Sequence, residues 1–332
     1  MRRRSAAFMM LLRVGAFAAC MQLAVAYPFV AAAQQPAPPA APAAQTPGRG
    51  RGPQPIDPRV QIRTHRFSDT NEDIPYALFV SSKVKKDTKA PMIVTLHGLG
   101  GTHTTMMRPN AIDLAEAGGY ILLAPMGYNP RGWFGAPAPQ GRGRRGAPAP
   151  AAAPNAAPPD AAAGRQSAPN PAAVTPQGRR GAPPAGALNG VNDPPNLREL
   201  SEKETLQVVD LVRQEFRVDE DRTYVMGHSM GGAGTLYLAM KYPERWAAAA
   251  AIAPAAFSVD RDGLSKVPGM PFMIVHGDMD TVVPVSVGRA WVDAIRSLKM
   301  NFNYIEVPGG DHGSVITSHQ ADIFAFFARH SR

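Results

Sequence analysis

The segment YVMGHSMGGAGTL places Ser229 between Gly227 and Gly231, directly after a short apolar run. Glycine loses more conformational entropy on folding than other residues, so this cluster indicates a backbone geometry that side chains would block. The G-x-S-x-G spacing is typical of a serine on a sharp turn from a strand into a helix, where its hydroxyl is exposed for nucleophilic attack. We therefore predict that Ser229 is a nucleophile, and that Gly231, Gly232 and Gly234 let the helix approach the strand closely.

A serine nucleophile needs a general base, and histidine is the most frequent one. His312 lies in EVPGGDHGS, between the last predicted strand and the final helix, and is the predicted base. His228 adjoins the serine, but its side chain is expected to start in a different direction. His97 and His276 end strands, and we expect them to hold loops by hydrogen bonds.

The base in turn needs a carboxylate that fixes its tautomer and stabilises the imidazolium. The segment HGDMDTVVP offers two candidates after the preceding strand, Asp278 and Asp280. The negative oxygen of a tetrahedral intermediate needs two N–H donors. We expect one from Met230, the residue after the serine, and the other from Leu99 in the loop LHGLGG.

Short apolar runs bounded by turn residues alternate with segments of helical spacing. The predicted strands are MIVTLH (92–97), YILLAP (120–125), TYVMGH (223–228), WAAAAAIAP (246–254), PFMIVHG (271–277) and NFNYIEV (301–307). VQIRTHRF and IPYALFVSS precede them and predict an antiparallel hairpin, while SVITSHQADIFAFFARH predicts a closing helix. The alternation predicts an α/β fold, a mostly parallel central sheet with helices on both faces.

Two tracts rich in proline and alanine separate the folded segments. Residues 34–59 predict a disordered linker and residues 136–195 a disordered insertion, because large apolar side chains are too few there to offset the entropy of ordering. The predicted catalytic domain is therefore 60–332, interrupted at 136–195.

The net charge of +9 belongs mainly to these tracts. Residues 1–60 and 136–195 hold 13 of the 35 Lys and Arg residues but only 3 of the 26 Asp and Glu residues. The rest of the chain is almost neutral, with 22 basic and 23 acidic residues. A folded domain without a basic excess does not predict a nucleic-acid partner.

The N-terminal residues predict a targeting segment. Three arginines, an apolar stretch and the small-residue sites AVA (24–26) and AAA (31–33) predict a signal peptide over 1–33 and a secreted or periplasmic protein. An uncleaved membrane anchor is the alternative, which Gln22 and Pro28 disfavour. FAAC is similar to a lipoprotein cleavage box, so a lipid anchor at Cys20 is the other possible link to a membrane. Cys20 is the only cysteine, so a mature chain without it forms no disulfide.

These motifs resemble the α/β-hydrolase superfamily over 60–135 and 196–332. Within it the chain is similar to the secreted serine esterases without a large lid that are grouped with polyhydroxybutyrate depolymerases, feruloyl esterases and dienelactone-hydrolase-like proteins. GHSMGG is also similar to the corresponding turn of cutinase-like polyester hydrolases. The pattern H-G-x-x-D-x-x-V-P of these hydrolases assigns the acid to Asp280. NPRGWFG resembles an aromatic segment of the feruloyl-esterase group, which implies substrate contacts by Tyr128, Trp133 and Phe134.

The resemblance implies a serine hydrolase that cleaves carboxylic esters, either small molecules or polymers, through a Ser229–His312–Asp280 triad. A peptidase similar to the catalytic domain of prolyl oligopeptidases is the alternative, although no propeller-like repeat precedes the domain. A non-enzymatic envelope protein is a third interpretation, and the presence of all three triad residue types disfavours it. No metal-binding cluster, phosphate loop or dinucleotide fingerprint stands out in the sequence, so no cofactor is predicted.

Overall fold

The computed structural model describes residues 56–139 and 192–332. The predicted signal peptide, Cys20 and most of the predicted linker lie outside these residues, as do positions 140–191 of the predicted insertion. The four positions at each end of that insertion, 136–139 and 192–195, are described. Within the described ranges, no helix combines the length and apolar character needed to cross a membrane.

Eight strands form one sheet in the order β1-β2-β4-β3-β5-β6-β7-β8. Their bounds are β1 Gln61–Phe67, β2 Glu72–Val80, β3 Ala90–Leu96, β4 Ile121–Ala124, β5 Val218–His228, β6 Ala248–Ile252, β7 Phe272–Gly277 and β8 Phe302–Val307. β2 is antiparallel to both of its neighbours, β1 and β4, and the remaining pairs are parallel. The predicted hairpin and the six predicted strands after it are confirmed.

Helices cover both faces of the sheet. Their bounds are α1 Pro109–Gly118, α2 Leu197–Glu215, α3 Met230–Lys241, α4 Val285–Ser297, α5 Val315–Ser318 and α6 Gln320–Ala328. The apolar residues of α2, α3 and α4 pack on one face of the sheet, and those of α1, α5 and α6 pack on the other. The central strands are buried on both sides, which explains why β3 is an uninterrupted run of buried residues rather than an alternating one.

The closing segment is two helices and not the single helix that its spacing predicts. His319 separates them with a non-helical backbone (φ −126°, ψ 28°). The Gln320 side chain donates a hydrogen bond to the Ile316 carbonyl at 2.6 Å, which satisfies one backbone oxygen freed at the break.

The parallel strands bring four loops to one edge of the sheet. β3, β5, β7 and β8 run in the same direction, so the segments that follow them meet outside their carboxyl ends. In α/β sheets this edge is where ligands bind. The segments after these strands contain the glycine-rich loop at 97–101, Ser229, Asp280 and His312.

Candidate active site

Ser229 occupies the single position between the end of β5 and the start of α3. Its φ of 57° and ψ of −114° put it in a region that residues other than glycine rarely adopt. Backbone hydrogen bonds hold it there: its N–H donates to the Ile252 carbonyl at 2.9 Å, and its carbonyl accepts from the N–H groups of Ala233 and Ala255. The turn therefore has the strained geometry that the G-x-S-x-G spacing predicts.

The glycines around Ser229 have two different functions. A Cβ atom on Gly231 would lie 2.2 Å from the Leu96 carbonyl oxygen, and one on Gly227 would lie 2.4 Å from the Gly231 oxygen. Gly231 lets the start of α3 pack directly on the end of β3, and Gly227 lets it pack on the end of β5. The prediction for Gly234 was wrong, because a Cβ there would meet the Phe134 side chain at 2.8 Å rather than a strand.

Asp280 and His312 form a close pair. His312 Nδ1 lies 2.7 Å from Asp280 Oδ2, and a carboxylate only accepts, so the ring N–H is the donor. The other carboxylate oxygen accepts the backbone N–H groups of Val282 and Val283 at 2.9 and 2.8 Å. Asp280 is thus a buried carboxylate fixed by three donors.

Asp278, the other candidate acid, has a different partner. Its Oδ1 accepts the Gly309 N–H at 2.7 Å, which joins the loop after β7 to the loop after β8. No hydrogen bond joins Asp278 to His312 within the described part of the chain. The contacts therefore favour Asp280 as the partner of the histidine.

A cavity of about 560 Å³ lies above this edge of the sheet and is lined by both Ser229 and His312. Most of its wall is apolar, formed by Ala255, Phe257, Val282, Val283 and Ile316 among others. None of the described residues that line it is an Asp, Glu, Lys or Arg. The site therefore presents a hydroxyl and an imidazole in a pocket without a fixed charge on its wall.

The three aromatic residues expected to contact substrate lie in different places. Trp133 lines the cavity. The Tyr128 hydroxyl donates to Glu72 Oε2 at 2.8 Å on the exposed surface, away from the cavity wall. Phe134 is fully buried, with its ring 5.1 Å from that of His97. The positions of Tyr128 and Phe134 thus contradict the substrate contact that the sequence implied for them.

Comparisons with known proteins bear on the fold. The Esterase family model matches residues 167–287, and the Prolyl oligopeptidase family model matches residues 258–332. The structure is similar to a thermostable esterase (TM-score 0.55, 22% identity, covering 83% of this chain and 64% of that one). It is also similar to a ferulic acid esterase from Anaeromyces mucronatus (TM-score 0.54, 16% identity, covering 82% of this chain and 90% of that one). The chain has the α/β-hydrolase fold.

Sequence similarity to the curated relatives covers part of the chain. Cutinase 1 of Thermobifida cellulosilytica is 34% identical over 97 residues, which cover 29% of this chain and 35% of the cutinase. The chain thus spans about a third of the length of the curated relatives that it matches first. The predicted resemblance to α/β-hydrolase esterases is confirmed by these matches.

The expected oxyanion donors of the α/β-hydrolase fold both lie at the cavity. Leu99 and Met230 line it, and Met230 opens α3, where the first N–H groups have no partner within the helix. Among the described residues, no acceptor binds the Leu99 N–H. The Gly100 N–H donates to the Pro130 carbonyl at 2.9 Å, which fixes the glycine-rich loop.

His276 contacts the loop that carries Asp280. Its Nε2 atom lies 2.9 Å from the Val283 carbonyl and 3.4 Å from Asp280 Oδ2. Burial lowers the pKa of His276, so the ring is neutral at ordinary pH. The loop-holding contact expected for this histidine is present in the structure.

His228 is the residue that sequence reasoning missed. Its side chain does not leave the site: it lines the cavity, and its Nε2 atom lies 2.8 Å from the backbone carbonyl of His312. Burial, together with the nearby His312, lowers the pKa of His228 to about 4. The only sequence signal was its place beside the serine, which does not reveal the direction of the ring.

Proposed function

We propose that the protein is a serine hydrolase that cleaves carboxylic esters through an acyl-enzyme. The observation that carries the proposal is the hydrogen-bonded Asp280–His312 pair in the same cavity as the strained Ser229. This is the arrangement in which a base activates a serine and a carboxylate orients the base.

In the proposed mechanism the Ser229 hydroxyl attacks the ester carbonyl. His312 takes the hydroxyl proton on Nε2, because its Nδ1–H is committed to Asp280. The N–H groups of Leu99 and Met230 stabilise the negative oxygen of the tetrahedral intermediate. His312 then gives its proton to the departing alkoxide, and the same groups activate a water molecule that hydrolyses the acyl-enzyme.

The cavity favours uncharged, apolar esters with a short acyl or an aryl group. Its described walls are mostly apolar, and an anionic acyl group would lose its hydration there without gaining an ion pair. Phe257 and Val282 are about half exposed at the cavity, so an aryl group or one end of a polymer chain could rest against them. The similar cutinases and esterases support an ester as the substrate.

Export to the periplasm or the medium is the second part of the proposal. It rests on the N-terminal sequence alone, which lies outside the described residues. Cell fractionation with N-terminal sequencing of the mature protein tests it, and an intact, cytoplasmic chain would contradict it.

Variants at Ser229 test the mechanism. Ser229→Ala should lower kcat on 4-nitrophenyl butyrate by about 10⁴-fold or more without a change in unfolding temperature, because triad residues act together. Ser297→Ala, an exposed serine at the end of α4, is the matched control and should keep full activity. A fluorophosphonate adduct found by mass spectrometry on Ser229 would identify the nucleophile, and an active Ser229→Ala enzyme would exclude it.

The match to the prolyl oligopeptidase family keeps a peptidase as the second candidate. Against it, the described connection between β6 and β7 contains only a 3-10 turn, Arg261–Lys266, so the cavity opens to solvent. An alkoxide also leaves with less assistance than an amine. We expect kcat/KM for a 4-nitrophenyl ester to exceed that for a glycyl-prolyl 4-nitroanilide by several orders of magnitude, and efficient anilide cleavage would reverse the assignment.

A further inference from the structure

His228 connects two loops of the site. On one side a Cβ atom added to Gly98 would lie 3.2 Å from His228 Nδ1, so the ring packs against the loop that contains Leu99. On the other side its Nε2 atom lies 2.8 Å from the His312 carbonyl, and the two rings are 4.5 Å apart. His228 is 6% exposed, so its ring is buried between the two loops.

The direction of the hydrogen bond follows from its partner. A carbonyl oxygen only accepts, so the His228 Nε2–H is the donor. Burial and the neighbouring His312 keep the pKa of His228 low, while the Asp280 carboxylate acts in the opposite direction and the Arg108 guanidinium in the same one. At neutral pH the ring is therefore uncharged and carries its proton on Nε2.

His312 is otherwise anchored through its side chain alone. Its ring is bound to Asp280, but within the described residues its backbone carbonyl accepts only from His228, and its N–H has no acceptor. Bonds at Gly309 and Gly310 join the loop after β8 to the loop after β7, but they lie three and two residues before His312. The bond from His228 supplies a second fixed point on the same residue.

We propose that His228 is a positioning residue that places the His312 imidazole within reach of Ser229 by donating Nε2–H to the His312 carbonyl. The inference rests on the proposed hydrolase function. A shift of about 1 Å at a reacting group is enough to lower a rate by about 100-fold, so one backbone hydrogen bond at this place affects catalysis and not only stability.

Two amide variants separate this function from simple packing. In His228→Gln the side-chain N–H lies as many bonds from the backbone as Nε2 of the histidine, whereas in His228→Asn it is one bond too short to reach the carbonyl. We expect His228→Asn to lower kcat for 4-nitrophenyl butyrate by about 10- to 100-fold. We expect His228→Gln to keep kcat within about 5-fold of the native enzyme, and both variants to keep KM within about 3-fold.

His330 provides a matched control outside the site. Its Nδ1 atom lies 2.8 Å from the Phe326 carbonyl and its ring 4.5 Å from that of Phe326, so it makes a comparable pair of contacts with Nδ1 in place of Nε2 as the donor. Because an asparagine amide lies as many bonds from the backbone as Nδ1, the control variant is His330→Leu, which has no donor. It should lower the unfolding temperature and leave kcat unchanged.

Three outcomes would overturn the proposal. Equal kcat values for folded His228→Asn and His228→Gln would show that the donated bond does not matter. A change in KM alone would make His228 a substrate contact, and an equal loss of kcat in His330→Leu would reduce the effect to stability. Failure of the proposed function is a separate result, because Ser229 of the native enzyme would then not react with a fluorophosphonate.

Discussion

At the scale of single residues, the two aspartates of the loop after β7 differ in their contacts. Asp280 is buried and accepts hydrogen bonds from His312 and from two backbone N–H groups. Asp278 accepts a single bond from Gly309. Only one of the two carboxylates can therefore orient the imidazole.

This difference predicts unequal effects of the same substitution. Asp280→Asn should lower kcat by about 10⁴-fold, because an amide that donates to Nδ1 selects the wrong tautomer of His312. Asp278→Asn should stay within about 3-fold, since an amide oxygen can still accept the Gly309 N–H. Steady-state kcat values on one ester compare the two variants. A larger loss of kcat in Asp278→Asn would identify Asp278 as the acid of the triad.

The sequence predicted that Ser229, Asp280 and His312 lie at one edge of the sheet, because parallel strands that run in the same direction end there. It could not predict the aromatic side chains after β4. Tyr128, Trp133 and Phe134 all have positive φ values, between 52° and 63°, which redirect each side chain. Non-glycine residues in this conformation have no sequence signature comparable to glycine, so the spacing in NPRGWFG did not reveal which ring faces the cavity.

At the scale of elements, the site depends on the contact between α3 and β3. Gly231 is the point of closest approach, where no Cβ atom fits beside the Leu96 carbonyl. The same contact fixes the start of α3, and hence the Met230 N–H, relative to the glycine-rich loop after β3.

We expect Gly231→Ala to destabilise the fold by about 3 kcal/mol, because the added methyl group would force the helix away from the strand. Activity of the folded fraction should fall as well, since the displacement would separate the N–H groups of Leu99 and Met230, the two proposed oxyanion donors. Gly269→Ala is the control: no atom lies within 4 Å of its added Cβ, so its stability should change little. Urea unfolding compares the two variants. Equal midpoints would mean that the helix moves to accept the methyl group without a loss in the free energy of unfolding.

Element types were predictable from the pattern of apolar residues, but a break within a pattern was not. The closing segment has helical spacing throughout. The break at His319 is visible only in its backbone angles and in the hydrogen bond from Gln320 to Ile316. These are tertiary features of one place in the fold, which single-residue propensities do not record.

At the scale of the whole molecule, the chain leaves the domain beside the cavity and returns nearby. Ala136 is fully buried and Pro139 lines the cavity, so the first positions of the predicted insertion belong to the packed structure. On the return, Asp193 receives two hydrogen bonds from the Arg131 guanidinium, at 2.9 and 2.7 Å, and a third from Asn129.

Replacing residues 140–191 with a short Gly/Ser linker should therefore preserve the fold and keep kcat/KM on a small ester within about 3-fold. Each halving of a flexible loop changes its closure free energy by only about 0.6 kcal/mol. A deletion that also removes 136–139 and Asp193 should lower both stability and activity. Thermal unfolding and ester hydrolysis compare the two variants. Loss of activity on replacing 140–191 alone would mean that these residues contribute to catalysis.

The ion pair between Arg131 and Asp193 also bears on how this chain could change over evolutionary time. The bidentate pair joins the segment before position 140 to the segment after position 191, and this contact does not depend on the residues between them. Segments of different length or composition, even a complete foreign domain, could then be grafted at this point while the folded core retains its register. The same pair makes 140–191 a natural place to fuse a binding module, which would deliver the proposed esterase to an insoluble polyester.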